Sequence, residues 1–453
     1  MKGLVLIWVV TVLASVGSLR YPLIGLYTYV ALAVLRPHFI FGFAGNLADL
    51  SFYVGVATLI GWALNGFGSW RLGRARSVIV ALLMFVVWFT LSATQAIDTS
   101  LMPVSLRELS KFVLPVLIGV TMMETSRQQQ AMLWTIVLAQ GYVGFEKNLE
   151  YLQGYNFASE GFGGMDNNCF GASLVTVIGP AIALVIVSRS WKARALAAAA
   201  GLLILHTTLL TFSRGAAVGL FAIAVAAFVV MPKRPRYIVA VLAAVLITIR
   251  FTGPQLAERY VSIFDTAAER DASSESRVDL WRDCLMVIQQ YPILGVGPAN
   301  WRVIAVSYGW PQGKSAHSVW METAAETGIP GALLLFSFYA LAGLKLWPIA
   351  RERITDENRA EVATALGVVL SVVGFGVAGQ FVSVPGLEVP YYVVMVGAAV
   401  LKHRTSNEAK AVAVAPTPRI PSPMTPASRM PARPVVTPMP APSRRAPVKP
   451  RPA

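Results

Sequence analysis

Long apolar runs recur along nearly the whole chain, broken by short polar connections. Each is long enough, or nearly so, to cross a hydrocarbon layer of about 30 Å as a helix. The runs do not alternate polar and apolar positions, so they read as helices whose backbone satisfies itself and not as barrel strands. The pattern predicts spans near 3–18, 21–36, 52–66, 77–94, 111–123, 131–145, 170–188, 195–212, 215–231, 237–250, 329–347, 361–383 and 388–402. The fold class that follows is all-α, a polytopic integral membrane protein with about 12–13 transmembrane helices and a long outer loop over 251–328. Thirteen spans place the N-terminus outside. An even count, with one short segment lying re-entrant or interfacial, places it inside.

Composition agrees with this picture. Of 453 residues, 55% are hydrophobic and 13% charged, against about 25% charged in soluble domains. The mean hydropathy is +0.60. The first run, after Lys2, has the look of a secretory signal, but no small-residue cleavage site leads into a soluble domain, so it reads as a retained span.

Charge sets the expected orientation. The basic connections are "RLGRAR" (Arg71 to Arg76), "SRSWKAR" (Ser188 to Arg194), "PKRPR" (Pro232 to Arg236) and "ARERITDENR" (Ala350 to Arg359). Lys and Arg concentrate in cytoplasmic loops, which leaves 37–51, 95–110, 146–169, the turn at Ser213–Arg214 and 251–328 outside. After Lys402 the chain becomes low-complexity Pro/Ala/Arg sequence that supplies much of the +15 net charge. Such a tail, 403–453, is expected to be disordered and drawn to anionic headgroups, or to dock a partner protein. No folded basic domain accompanies it, so nucleic acid is not an expected partner. The two cysteines, Cys169 and Cys284, form no metal-binding spacing and are expected to pack unpaired.

The outer loop carries the candidate chemistry. "SRVDLWRDCLMVIQQYP" predicts an amphipathic helix with Val278, Trp281, Leu285 and Ile288 on one face and Asp279, Arg282, Asp283 and Gln289 opposite. Ser276 and Asp279 read as its capping box, and Pro292 with Gly295 as its end. Arg277 opens this helix. Arg214 sits in "TFSRGAAVG", at an outer turn pressed against hydrocarbon, where an arginine either snorkels or faces a polar cavity. Gly215 and Gly219 are spaced for close helix approach. Arg214, Arg277 and Lys314 together suit a dianionic pyrophosphate, which guanidinium groups bind bidentately. His317, in "SAHSVWMETAAETGIPG", has the intrinsic pKa to take a proton from a hydroxyl near neutrality. Glu322 and Glu326 follow it and either orient the ring or solvate the rim. Asp166, Asn167 and Asn168 are candidates to line an acceptor cavity, or to cap their loop. "GFGGMDNN" follows no strand and is a weak nucleotide signal.

The ordered set "SRG", "SRVDLW…YPILGVGPANW" and "HS…E.GIPG", over roughly residues 165–345, resembles the O-antigen ligase family of bacterial inner-membrane glycosyltransferases. "YPLIGLYTYVALAVLRPHFIFGF" and "MDNNCFG" are similar to the O-glycosylation ligases associated with exosortase systems. Where members usually have His-Asn, this chain has His317-Ser318. The resemblance implies a glycan on undecaprenyl pyrophosphate as donor and a lipid, protein or polysaccharide hydroxyl as acceptor. It also implies inversion at the anomeric carbon, no metal or other cofactor, and a periplasmic site in the inner membrane. Carried over by position, Arg214 and Arg277 grip the pyrophosphate and His317 acts toward the acceptor. Lys314, Glu326, Asp166, Asn167, Asn168 and Arg282 are the candidate substrate-binding residues. The corresponding division is an N-terminal transmembrane region 1–145, a catalytic core 146–347 and terminal helices 348–402 before the tail. Two alternatives stand beside a ligase. One is a polymerase acting on lipid-linked repeat units. The other is a transporter, against which speaks the lack of an internal repeat or of charges near a midplane.

Overall fold

The structure is a computed structural model that describes residues 2–41, 50–230, 272–383 and 387–414, with the isolated positions 239 and 437. Met1–Ala409 forms one compact unit and Lys410–Ala453 a second, of which the described residues are mainly the helical end before Val414. Fifteen α-helices and no named strand lie among the described residues.

The apolar runs become helices close to where the pattern places them. They are α1 (Lys2–Arg20), α2 (Pro22–Leu35), the short α3 (Pro37–Phe41), α4 (Leu50–Leu64), α5 (Arg76–Thr94), α6 (Met102–Met122), α7 (Ser126–Leu152), α8 (Asn167–Val187), α9 (Trp191–Leu210) and α10 (Arg214–Val230). Beyond the outer loop come α11 (Ala272–Gln290), α12 (Trp301–Ile304), α13 (Val319–Ala350), α14 (Arg359–Ala378) and α15 (Val389–Val414). The expected span at 237–250, apart from Val239, all of 251–271 and the tail after Val414, apart from residue 437, lie outside the described residues. Five helices are long and apolar enough to cross a membrane, and four shorter apolar helices accompany them. The chain is therefore an all-α polytopic membrane protein.

Several boundaries differ from the hydropathy pattern, among them α7, which runs over Ser126–Leu152 against the expected 131–145. Helix α6 begins at Met102, well before the run at 111, because Pro103 sits where its missing N–H costs nothing and the following Ser, Arg, Glu and Lys residues remain good helix formers outside lipid. Helix α13 begins at Val319, with the Ser318 hydroxyl accepting from Met321 N at 3.2 Å. It then breaks at Gly328, whose φ of 72° and ψ of 175° no β-carbon-bearing residue adopts easily. Helix α15 continues to Val414, so no helix end marks the expected start of the tail at 403.

The centre of the bundle is the pair α8 and α14. Their backbones touch because both carry glycine at the crossing: a β-carbon on Gly179 would stand 2.1 Å from the Gly367 carbonyl oxygen. The Ser371 hydroxyl donates to Thr176 O at 2.6 Å across the same contact. Gly219 of α10 likewise abuts Ala378 and the Gly374 carbonyl, so the small-residue pair on α10 serves packing. Gly179→Ala is expected to force these helices apart at a cost of about 1–3 kcal/mol, read as a lower melting temperature of the solubilised protein. Unchanged melting would contradict this packing.

The helices alternate between two ends. At the basic end, which carries the connections 71–76, 188–194 and 350–359, the first and last of these meet the C-terminal part of α15. There Arg404 reaches Glu352 and Glu361, both at 2.9 Å, and Arg74 reaches Glu408 at 3.0 Å. At the other end the loop after α11 folds over the bundle. Ser92 donates to Leu294 O at 2.6 Å, Trp88 Nε1 to Thr327 O at 2.9 Å, and Ile329 N to Pro292 O at 2.9 Å. Beneath this cover lies a small core of its own, including Leu280, Cys284, Val287, Val296 and Trp301. Both cysteines are free and buried, Cys169 in α8 and Cys284 in this core.

The loop helix is real, but its expected face is turned. Leu280, Cys284 and Val287 are buried, with Trp281 and Ile288 beside them, whereas Val278 and Leu285 are about half exposed. It also starts at Ala272, so Ser276 falls inside the helix and not at its cap. Cys284, buried as a small apolar side chain, lies at the centre of the stripe, which is rotated by one position from the predicted face.

Candidate active site

Four segments converge at the loop end of the bundle. The first is a tight hairpin, in which Phe162 and Met165 exchange backbone hydrogen bonds at 3.1 Å around Gly163 and Gly164, both at positive φ. It delivers Asp166 to the N-cap of α8, where Oδ1 accepts from Cys169 N at 2.7 Å. The second is the turn Thr211–Ser213, whose Ser213 hydroxyl accepts from Ala216 N at 3.2 Å and starts α10 with Arg214 as its first residue. The third is α11, which carries Arg277. The fourth is Lys314–Ser318, ending in His317. The starts of α8 and α10 thus both point at this region, with helix ends that favour anions.

His317 is held by its backbone. Its N–H donates to Ser383 Oγ at 3.2 Å. On the preceding residue, Ala316 N donates to Glu322 Oε2 at 3.1 Å, and Trp281 Nε1 donates to Ala316 O at 3.1 Å. Three elements therefore clamp two consecutive residues. The clamp is needed because His317 has φ of 50°, a left-handed conformation that costs a non-glycine residue on the order of 1–3 kcal/mol. Its Nδ1 is buried with no hydrogen-bond partner among the described residues, a desolvation of about 1–3 kcal/mol. Burial pushes the imidazole pKa below its ordinary value. Arg277 is the next cause, Lys314 and Arg302 push the same way, and Asp166 opposes them. The ring is neutral at pH 7.

Arg277 is half-buried, and burial draws its pKa down; among its neighbours Asp166 raises it and Arg214 lowers it. The guanidinium remains charged in any case. Arg214, Arg277, Asp166, Lys314 and His317 therefore act on one another within one charged cluster. Lys314 also lies over the Trp310 ring, 5.9 Å from its centre.

The other expected site residues are engaged with nearby protein groups. Asn167 donates to Thr211 O at 3.0 Å, and Asn168 accepts from the Ser213 hydroxyl at 2.9 Å. These amides tie the start of α8 to the turn that carries Arg214. Glu326 is half-buried and accepts from Trp301 N at 3.3 Å, while its carbonyl accepts from Gly297 N, so it braces the loop cover. Arg282 is 70% exposed and paired with Asp279 at 3.2 Å, on another side of α11 from Arg277. Glu322, left open between ring and rim, holds the Ala316 backbone and lies 3.8 Å from Arg302 Nε. Arg302 and Ser383 were not singled out by the sequence. A lone Arg after a Trp, and a Ser far along the chain, give no pattern to read before the fold brings them to His317. Among the described residues no group of three His, Cys, Asp or Glu side chains stands as a metal site.

The cluster gathers two guanidinium groups and an ammonium about Asp166 and the imidazole of His317. The O-antigen ligase family model matches residues 199–336, from α9 into the first half of α13. That interval contains Arg214, Arg277, Lys314 and His317. The match supports a membrane enzyme of the ligase or glycosyltransferase type, with a lipid-linked glycan and an acceptor as its substrates. No curated protein matches the chain.

Proposed function

We propose that this chain transfers a glycan from undecaprenyl pyrophosphate to an acceptor hydroxyl on a lipid, protein or polysaccharide carrier, at the periplasmic face of a bacterial inner membrane. The observation that carries this reading is the convergence of Arg214, Arg277 and Lys314 on the neutral, backbone-clamped His317. The two arginines bind the pyrophosphate oxygens and stabilise the charge that grows as the sugar–oxygen bond breaks. The acceptor oxygen forms the new bond to the anomeric carbon from the opposite side and gives its proton to the imidazole. The pyrophosphate leaves with the bonding electrons on its lipid, and the anomeric configuration inverts. Asp166 sits near enough to steady the imidazolium so formed. The basic connections at the far end of the bundle support a periplasmic location for this end. The sequence similarity over Tyr21–Phe43 and Met165–Gly171 supports a ligase of the exosortase-associated kind over a polymerase.

The base has to be deprotonated to work, and its pKa lies below the ordinary histidine value. Activity is therefore expected to persist below pH 6.5 and to fall as the pH drops through the depressed pKa. Lys314→Gln removes one of the charges that hold it down and is expected to shift the acid limb of kcat/KM upward. A limb that stays in place in the variant, or one centred well above 6.5 in the wild type, would sink the base role.

A further inference from the structure

Helices α4 and α6 both pack on α2 and leave between them a cavity of about 390 Å³, within the range of roughly 300–1,000 Å³ common for small-molecule sites. Its walls are divided along the helices. At the loop end, Arg36 and His38 follow α2, while Arg107, Glu108 and Lys111 stand in the first turns of α6, with Glu388 between. Deeper along the same helices the wall is Leu26, Val56, Leu59 and Ile118. Phe52, Tyr53 and Val56 of α4 are exposed beside the gap, so hydrocarbon reaches it from the side. A charged mouth over an apolar body, open laterally, fits an amphiphile and not a free solute.

The charge selects the headgroup. Among the described lining residues three cations stand against two carboxylates, and Lys111 pairs with Glu108 at 2.6 Å. What remains matches one negative charge, as on a phosphodiester, and falls short of a pyrophosphate. The site is also separate from the active-site cluster. The hairpin residues Phe162 and Met165 stand between, lining a small void that shares Ala33, Arg36 and Glu388 with the cavity wall. Arg36 reaches across to donate to the Gly163 carbonyl of that hairpin, which leads directly to Asp166.

We infer that the gap between α2, α4 and α6 is a binding site for a phospholipid with a monoanionic phosphodiester headgroup, held by Arg36, Arg107 and Lys111 with an acyl chain along α4. Through Arg36 the bound lipid steadies the hairpin that presents Asp166. The occupant is the resident phospholipid of the leaflet, not the glycan donor.

Native mass spectrometry of the full chain, released from nanodiscs of equimolar phosphatidylglycerol and phosphatidylcholine, tests this without any transfer reaction. The wild type is expected to retain phosphatidylglycerol about tenfold over phosphatidylcholine, and Arg107→Gln/Lys111→Gln to lose most of that preference. Val56→Trp, which fills the apolar part and leaves every charge in place, is expected to lower retention of both lipids. It keeps the test standing if the double variant fails to fold. Equal retention in wild type and variants would overturn the proposal. So would one-for-one displacement of phosphatidylglycerol by undecaprenyl phosphate, which would make the cavity part of the donor site. An Arg277→Ala chain that binds the phospholipid normally but not the donor separates this site from the proposed reaction.

Discussion

The His317→Ala enzyme is expected to turn over about 10²- to 10⁴-fold more slowly than wild type, the contribution usual for a positioned general base. Donor binding is expected to stay within a few-fold, because the pyrophosphate meets arginines and not the imidazole. His317→Gly sharpens the test. It removes the same ring, and it also relieves a left-handed backbone that glycine adopts freely, worth about 1 kcal/mol. The glycine variant is therefore expected to lose transfer without losing melting temperature. Backbone strain spent at one histidine, and held there by Ser383, Glu322 and Trp281, is the kind of trade that sites of chemistry make. Transfer that survives either substitution would remove His317 from the reaction.

Arg277→Ala is expected to lower kcat/KM by about 10²- to 10³-fold, comparable to losing one charge-stabilising donor in a buried site. Two effects add here. The variant loses bidentate contact with the leaving group, and it leaves Asp166 facing His317 without its main counter-charge. The second effect predicts that the acid limb of the pH profile moves upward as the rate falls, since Arg277 holds the imidazole pKa down. Arg277→Lys is expected to restore the limb better than the rate, because an ammonium supplies charge without the two-pronged geometry. A purely structural arginine would move neither limb nor rate in this selective way.

Much of this was legible in the order of residues because lipid imposes a simple rule. A backbone that cannot bond to solvent makes its own hydrogen bonds, so apolar runs become helices, and the described ones lie close to the positions the pattern gives. The rule fails where helices leave the hydrocarbon. Met102–Ser110 and Val319–Thr327 are helical on capping and propensity, which a hydropathy pattern does not weigh. It fails differently on α11, where the buried stripe runs through Leu280, Cys284 and Val287 and not through Val278 and Leu285.

The site divides along the same line. Arg214, Arg277, Lys314 and His317 could be picked out because each is a charged or titratable group at an odd place, beside hydrocarbon or at a helix start. Asn167 and Glu326 looked similar in sequence and hold backbone groups, while Asn168 takes the Ser213 hydroxyl. Only the fold shows which backbone group or hydroxyl each of these side chains meets. Glu322, Arg302 and Ser383 act on His317 at second hand, from positions with no spacing relation to it that a pattern could detect.

The central claim is that this cluster moves a glycan off a lipid pyrophosphate. The most direct measurement gives purified protein in lipid an undecaprenyl-pyrophosphate-linked oligosaccharide of one repeat unit together with a cell-envelope acceptor fraction, and reads products by mass. The account predicts glycan mass on the acceptor, matched by free undecaprenyl pyrophosphate, with both absent from Arg277→Ala. A ladder of longer lipid-linked glycans formed without added acceptor would make the enzyme a polymerase. No release of undecaprenyl pyrophosphate under either condition, or release that is the same in Arg277→Ala, would contradict the account.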